Sequence, residues 1–476
     1  MKIKLKWLIF SIVLLAIALI GAFLPDGSEI GHDPNVSVGD TAWMLTATAL
    51  VLLMTPGLSF FYGGMVKTKN VISTMLQSFI AMGVVSIVWV VVGFSLAFGD
   101  SIGGIVGNPL TFLFFRHVGG ATDPVLSPTI PLALFALFQL KFAIITPALI
   151  TGSFAERVKF SGYLVFMVMF TIFIYAPLAH WTWHPDGFLN KMGVLDFAGG
   201  TVVHMSAGFA ALAGATVLGQ RTSHKQPHRP ANIPFVLLGT GMLWFGWFGF
   251  NAGSALHASS TAVIAFLNTN TASAAAMLAW VFFDTMKGRK ASAVGAAVGA
   301  VVGLVAITPA AGFVSVGASL FIGVSASVVS NVAVHWKNKS NLDDALDVFP
   351  THGVGGIIGM ILTGVFAKNV GLIHGETSTF FHHLLALVIV GVFTFGGSYL
   401  LYKLTSLMIP LRVSPHSEEI GLDLSQHDES YMLNHPEEGD REIQEAIPEE
   451  ETTFRNKLQN NKRRIRKEKE VAASAE

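Results

Sequence analysis

Apolar segments of bilayer-spanning length recur along this chain at about 41–62, 71–98, 130–152, 160–181, 197–219, 232–252, 259–283, 291–308, 312–336, 348–367 and 380–409. A helix needs roughly 20 such residues to cross the hydrocarbon. Only 13% of residues are charged and 52% are hydrophobic, whereas a soluble globular chain carries about a quarter charged. The sequence therefore reads as an all-α polytopic membrane protein with eleven transmembrane helices.

Basic residues test that count. Loops after odd-numbered segments hold Lys67, Lys69, Arg157, Lys159, Arg221, Lys225, Arg229, Lys287, Arg289, Lys290, Lys337 and Lys339, and the opposite loops hold Arg116, Lys191 and Lys368. Positive charge collects on the cytosolic side, so the first segment starts outside and the C-terminus lies in the cytosol. A missed helix would scramble this alternation. An odd number of spans permits a 5+5 inverted repeat with one helix over, an arrangement that places a binding site near the midplane. Ahead of the spans, residues 1–24 carry Lys2, Lys4 and Lys6 and then an apolar run, with Ala16-Ile17-Ala18 as a cleavage context. This stretch reads as a signal peptide or a retained extra helix.

Several functions are excluded at this stage. The chain has no cysteine, so disulfides, thiolate metal sites and Cys nucleophiles are absent. No GxxxxGK[ST] loop occurs, so ATP does not drive transport through this chain. Lys plus Arg equals Asp plus Glu at 30 each, which gives no hint of an acidic partner such as nucleic acid. Gly295, Gly299 and Gly303 stand at i, i+4 spacing and predict close helix packing. Residues 41–409 form the membrane domain. Residues 410–431 read as a cytosolic regulatory segment, and 432–476 as a disordered charged tail whose basic run is a solvated stretch or a contact for anionic lipid.

Two histidines inside the apolar segments stand out. His204 lies eight residues after Asp196, and His352 lies eight residues after Asp344. At 1.5 Å per residue that is about 12 Å, close to half the hydrocarbon thickness of roughly 30 Å. The two segments enter from opposite faces, each the fifth of its half, so both imidazoles approach the midplane. A single intramembrane His is more often a packing residue; two at matched depth point to a site. Zinc needs three or four ligands, and no third ligand is visible at that depth. Two neighbouring imidazoles without metal can hydrogen-bond a small polar solute or relay a proton.

The motifs TPGLSFFYGGMV, FAER at 154–157, DFAGGTVVH at 196–204, GWFGFNAGS at 246–254, ITPAAG at 307–312 and DVFPTHG at 347–353 occur in order. With them the chain resembles the ammonium transporters of the Amt/Mep/Rh superfamily, over about residues 41–431. The resemblance implies ammonium/ammonia transport without covalent catalysis and without a cofactor. It implies an outer vestibule of Phe142, Trp183 and Ser254, a pair of stacked phenyl rings at Phe142 and Phe250, and pore histidines at His204 and His352. A cation gains from an aromatic face and a hydroxyl oxygen accepts an N–H bond. Asp196 matches a family Asp near the vestibule. It reads as mainly structural, since a carboxylate at a helix start accepts backbone N–H bonds and complements the dipole.

The resemblance further implies a homotrimer in the cell membrane, methylammonium as a substrate analogue, and a C-terminal motif, here GLDLSQHDESY, that responds to PII-type signal proteins. Asp428 stands where Gly is usual, and Tyr431 comes one residue early. Lys141 beside Phe142 is a further departure; at that depth it must snorkel or pair, and facing the vestibule it would weaken cation recruitment. Two rival readings remain: an ammonium sensor signalling through the cytosolic segment, and a membrane-embedded metal hydrolase.

Overall fold

The structure, a computed structural model, describes residues 5–24, 33–224, 226 and 228–431. The 432–476 tail lies outside the described residues. Twelve helices account for the apolar segments: α1 Leu5–Phe23, α2 Val38–Met65, α3 Thr68–Phe98, α4 Leu132–Phe154, α5 Phe160–Lys191, α6 Gly200–Leu218, α7 Ile233–Gly253, α8 Ser260–Met286, α9 Ala293–Ile307, α10 Val316–Lys339, α11 Phe349–Phe366 and α12 Ser378–Met408. Each of the eleven predicted segments is a helix. Among the described residues, eleven helices are long and apolar enough to span, counting α1 and leaving out the shorter α9.

Local chemistry sets where these helices begin. Ser37, Asn232, Ser259, Ser292 and Ser315 cap α2, α7, α8, α9 and α10, each side chain accepting the backbone N–H three residues on. Such a cap stabilises a helix by about 1 kcal/mol. The predicted glycine stripe on α9 seats that short helix against α8: a Cβ on Gly299 would lie 2.6 Å from Trp280 Cβ, and one on Gly303 would lie 2.5 Å from the Ala272 carbonyl oxygen. Any side chain there would push the two helices apart.

The bundle has two faces. One carries the long 99–131 loop, with its two short hairpins, and the 184–196 loop. The other carries residues 410–431. α1 runs between them, with Lys6 Nζ donating to Ser161 Oγ at 3.2 Å near one face and Gly21 against the Phe114 ring near the other. It buries none of its residues.

The inverted repeat is visible in how α6 and α11 start. Asp196 Oδ1 accepts the N–H groups of Gly199 and Gly200 at 2.8 and 2.6 Å, and Oδ2 accepts Thr201 N–H at 2.7 Å. At the opposite face, Asp344 Oδ1 accepts Val348 N–H at 3.1 Å and Oδ2 accepts Phe349 N–H at 2.7 Å. Each carboxylate is followed by a six-residue π-helical run, Gly200–Met205 and Phe349–Val354, and each run contains one of the two histidines. The two helices then meet at Gly208 and Gly353, where a Cβ on Gly208 would collide with the Gly353 backbone.

Candidate functional site

The sequence predicts that six side chains converge, one each from α4, α5, α6, α7 and α11 and one just past the end of α7, and the geometry can be followed from the 99–131 face inward. Phe142 of α4, Trp183 of α5 and Ser254 after α7 line one cavity, together with Gln139, Phe98, Phe135 and Phe197. It leaves about 170 Å³ for the centre of a water-sized sphere. Trp183 Nε1 donates to the Asp196 carbonyl at 3.1 Å, so the indole is fixed to the start of α6. Ser254 donates its hydroxyl to the Phe250 carbonyl at 2.9 Å, which leaves the oxygen's lone pairs for an external donor. A larger cavity of about 640 Å³ on the same measure adjoins this one, sharing Phe98, Val125 and Leu126 and lined by Asp100, Asp123 and Asp186.

Phe142 and Phe250 close the floor of the vestibule. Their ring centroids are 4.2 Å apart with planes at 33°, and Phe142 meets Trp183 edge-on at 5.8 Å. Both phenylalanines are fully buried.

Below the rings, His204 and His352 stand with ring centroids 5.4 Å apart and planes 19° apart. Their Nδ1 atoms are 3.3 Å apart, so one donates while the other accepts. His204 also stacks on Trp247 at 5.3 Å and 17°, and Trp247 is held by its indole N–H donating to Thr308 Oγ1 at 2.9 Å. Otherwise the cavity beside the imidazoles is apolar, lined by Met54, Leu58, Ile145, Leu149, Val203 and Val301 among others. It leaves about 10 Å³ for the centre of a water-sized sphere, the least that holds one water. His204 Nε2 is buried with no hydrogen-bond partner. That nitrogen therefore keeps a hydrogen bond to offer that no neighbouring side chain takes up.

Asp196 does not line either cavity. All four hydrogen bonds of its carboxylate come from Gly199, Gly200 and Thr201. Lys141 lies apart from the vestibule lining and is half-buried. The sequence reasoning did not single out Trp247, Gln139 or the capping role of Asp344. The repeated Asp-to-His interval of eight residues was the available signal for Asp344. Trp247 lies in the GWFGFNAGS motif one helical turn from Phe250, but nothing in that motif marked it as the ring on which His204 stacks.

The opposite face is closed by the C-terminal segment. Residues 411–413 pair with 157–159, with Lys159 N–H donating to Leu411 O and Val413 N–H to Arg157 O. Asp423 accepts Ile72 and Ser73 N–H at 3.0 and 2.7 Å, and burial raises its pKa. Asn232 Nδ2 donates to the Tyr431 hydroxyl at 2.8 Å. Asp428 adopts φ +57, the left-handed conformation of the usual glycine; Asp tolerates it better than most residues.

A buried charge cluster anchors this face. Arg221 makes ion pairs of 2.8 Å to both Asp343 and Glu156, and Arg412 Nε donates to Glu418 at 2.6 Å. Burial works against the charge on Asp343, but hydrogen bonds from Arg221 and the charges of Arg157 and Arg221 outweigh it and hold its carboxyl well below the usual range. Burial lowers Arg157 to about 10, against the pull of Asp343. Asp344 goes the other way: burial, with the nearby charge of Asp347, raises it to about 6 despite Lys337 and two backbone donors.

The chain is a polytopic helical membrane protein with an aromatic-lined cavity toward one face and a small apolar cavity beside two paired imidazoles in its interior. A sequence profile of the Ammonium Transporter Family matches residues 42–432. A putative ammonium transporter of Methanothermobacter thermautotrophicus is 46% identical over 402 residues, covering 82% of this chain and 98% of that protein. The crystal structure of Mep2 from Saccharomyces cerevisiae aligns with TM-score 0.76 at 34% identity, over 80% of this chain and 88% of that one. A structure described as a sensor Amt protein aligns with TM-score 0.76 at 30% identity, over 82% and 98%. The chain belongs to the ammonium transporter family; it is a transporter, not an enzyme.

Proposed function

We propose that this protein moves ammonium/ammonia across the cell membrane through a path within each subunit. Ammonium is recruited from outside at Phe142, Trp183 and Ser254, where aromatic faces attract the cation and the Ser254 oxygen accepts an N–H. The solute sheds its water at the Phe142–Phe250 pair. It then regains hydrogen bonds from His204 and His352, which offset the lost hydration while the apolar walls exclude larger solvated ions. Asp196 and Asp344 position the two histidine-bearing helices. The subunits assemble as a homotrimer, with residues 410–431 in the cytosol, where a PII-type protein would dock.

The observation that carries this reading is the unpartnered His204 Nε2, facing an apolar passage directly below two stacked rings. The test is uptake of labelled methylammonium into proteoliposomes, with ammonium as competitor. Competition by ammonium in the wild type, and altered flux in His204→Ala and His352→Ala, are expected. Uptake indifferent to ammonium would overturn the reading.

A second reading is favoured by the likeness to a sensor Amt structure and by the docked C-terminal segment: an ammonium sensor whose output passes through residues 410–431. Deleting 412–476 separates the two. A transporter retains flux, whereas a sensor retains ammonium binding and loses its downstream signal.

A further inference from the structure

We propose that Gln139 coordinates the ammonium ion in the vestibule, its side-chain carbonyl accepting one N–H bond alongside Ser254. The inference rests on the transport reading above and adds a specificity-determining residue to it.

Gln139 stands three residues before Phe142 on α4, about 4.5 Å nearer the 99–131 face at the helical rise. That is the level at which a cation would sit above the phenyl rings. The residue is 8% exposed and lines the same cavity as Phe142, Trp183 and Ser254. Its Oε1 is buried without a hydrogen-bond partner.

The surrounding walls explain why no partner is found. Phe98, Phe135 and Phe197 line the cavity nearby, and none offers a side-chain donor. An orphaned buried carbonyl is costly. A fold tolerates one where a ligand supplies the missing donor.

Ammonium has four N–H bonds in a tetrahedron. Two meet oxygens, Ser254 Oγ and Gln139 Oε1, and two point at the faces of Phe142 and Trp183. A potassium ion of similar charge has no directional donor to match this set. Gln139 therefore rewards N–H geometry rather than charge alone.

The experiment measures ammonium chloride half-saturation and maximal flux in proteoliposomes for wild type, Gln139→Met and Gln139→Glu. Met keeps the volume and loses the acceptor; Glu keeps the acceptor. Loss of one hydrogen bond to a cation raises half-saturation about tenfold or more in Gln139→Met, with maximal flux little changed. Gln139→Glu stays at or below the wild-type half-saturation. A packing role predicts the reverse order, because Met is then neutral and a buried carboxylate damaging. Wild-type half-saturation in Gln139→Met, or Gln139→Glu weaker than Gln139→Met, would overturn the proposal. Absence of ammonium flux in the wild type would instead remove the transport reading and the proposal with it.

Discussion

Replacing Asp196 with Asn separates the two roles a carboxylate can play beside a cation path. Asp196 Oδ1 accepts two backbone N–H groups at 2.8 and 2.6 Å. Oδ2 accepts the N–H and the hydroxyl of Thr201 at 2.7 and 2.5 Å. An Asn side chain can keep the first pair through its single oxygen. Its NH₂ then faces Thr201 N–H, donor against donor. The Thr201 hydroxyl can rotate to accept, but its backbone N–H is left buried and orphaned. One lost bond to a charged acceptor plus one orphaned donor costs about 3–5 kcal/mol, and the charge that complemented the helix dipole is gone as well. The strain falls on the π-helical run Gly200–Met205, which carries His204. Thermal unfolding in detergent should drop by roughly 3–5 °C, and ammonium flux in proteoliposomes by at least about tenfold, since small displacements of positioned groups are expensive. Asp196→Asn with wild-type thermal stability and only a raised half-saturation would refute this reasoning. The carboxylate would then be acting as a direct ligand.

Three further outcomes follow from the geometry. Arg221→Met leaves buried Glu156 without its ion-pair partner and Asp343 with the more distant Arg157 in place of its main one, a loss of about 3–5 kcal/mol visible in thermal unfolding; adding Asp343→Asn should restore part of it. The Asp344 pKa is raised to about 6 against about 3.9 in an unfolded chain. Its contribution to stability is therefore complete below about pH 4 and is lost as pH rises through 6. Asp344→Asn should remove that slope when unfolding is followed across pH. Gly208→Val drives a branched side chain into the backbone at Gly353, so flux should fall to background, and a variant with undiminished flux would show that the two helices need not cross there.

The sequence by itself determined the helices, their alternation and the resemblance that located the site. Spanning length and scarcity of charge leave a segment no stable alternative in lipid. The matched eight-residue interval from Asp to His predicts matched depth for the two imidazoles, while the loop and π-helical run inside each interval are set by the fold. Phe250, His204 and His352 lie in the spaced motifs that carry the resemblance, the resemblance itself pointed to Phe142, and the structure brings the four rings together.

Only the tertiary structure decided which atoms are left without partners. Whether His204 Nε2 and Gln139 Oε1 are satisfied depends on neighbours from other helices, distant in the chain, that no local pattern encodes. Asp344 shows the same division. Its spacing to His352 was readable, but its cap on α11 follows from the fold of the loop, and its raised pKa from burial beside Asp347. Lys141 shows it too. Its place next to Phe142 put it near the vestibule by number, while the rotation of α4 turned it away from the lining. Periodicity along a chain sets depth and face; contact across a packed interior sets which polar groups remain free to meet a solute.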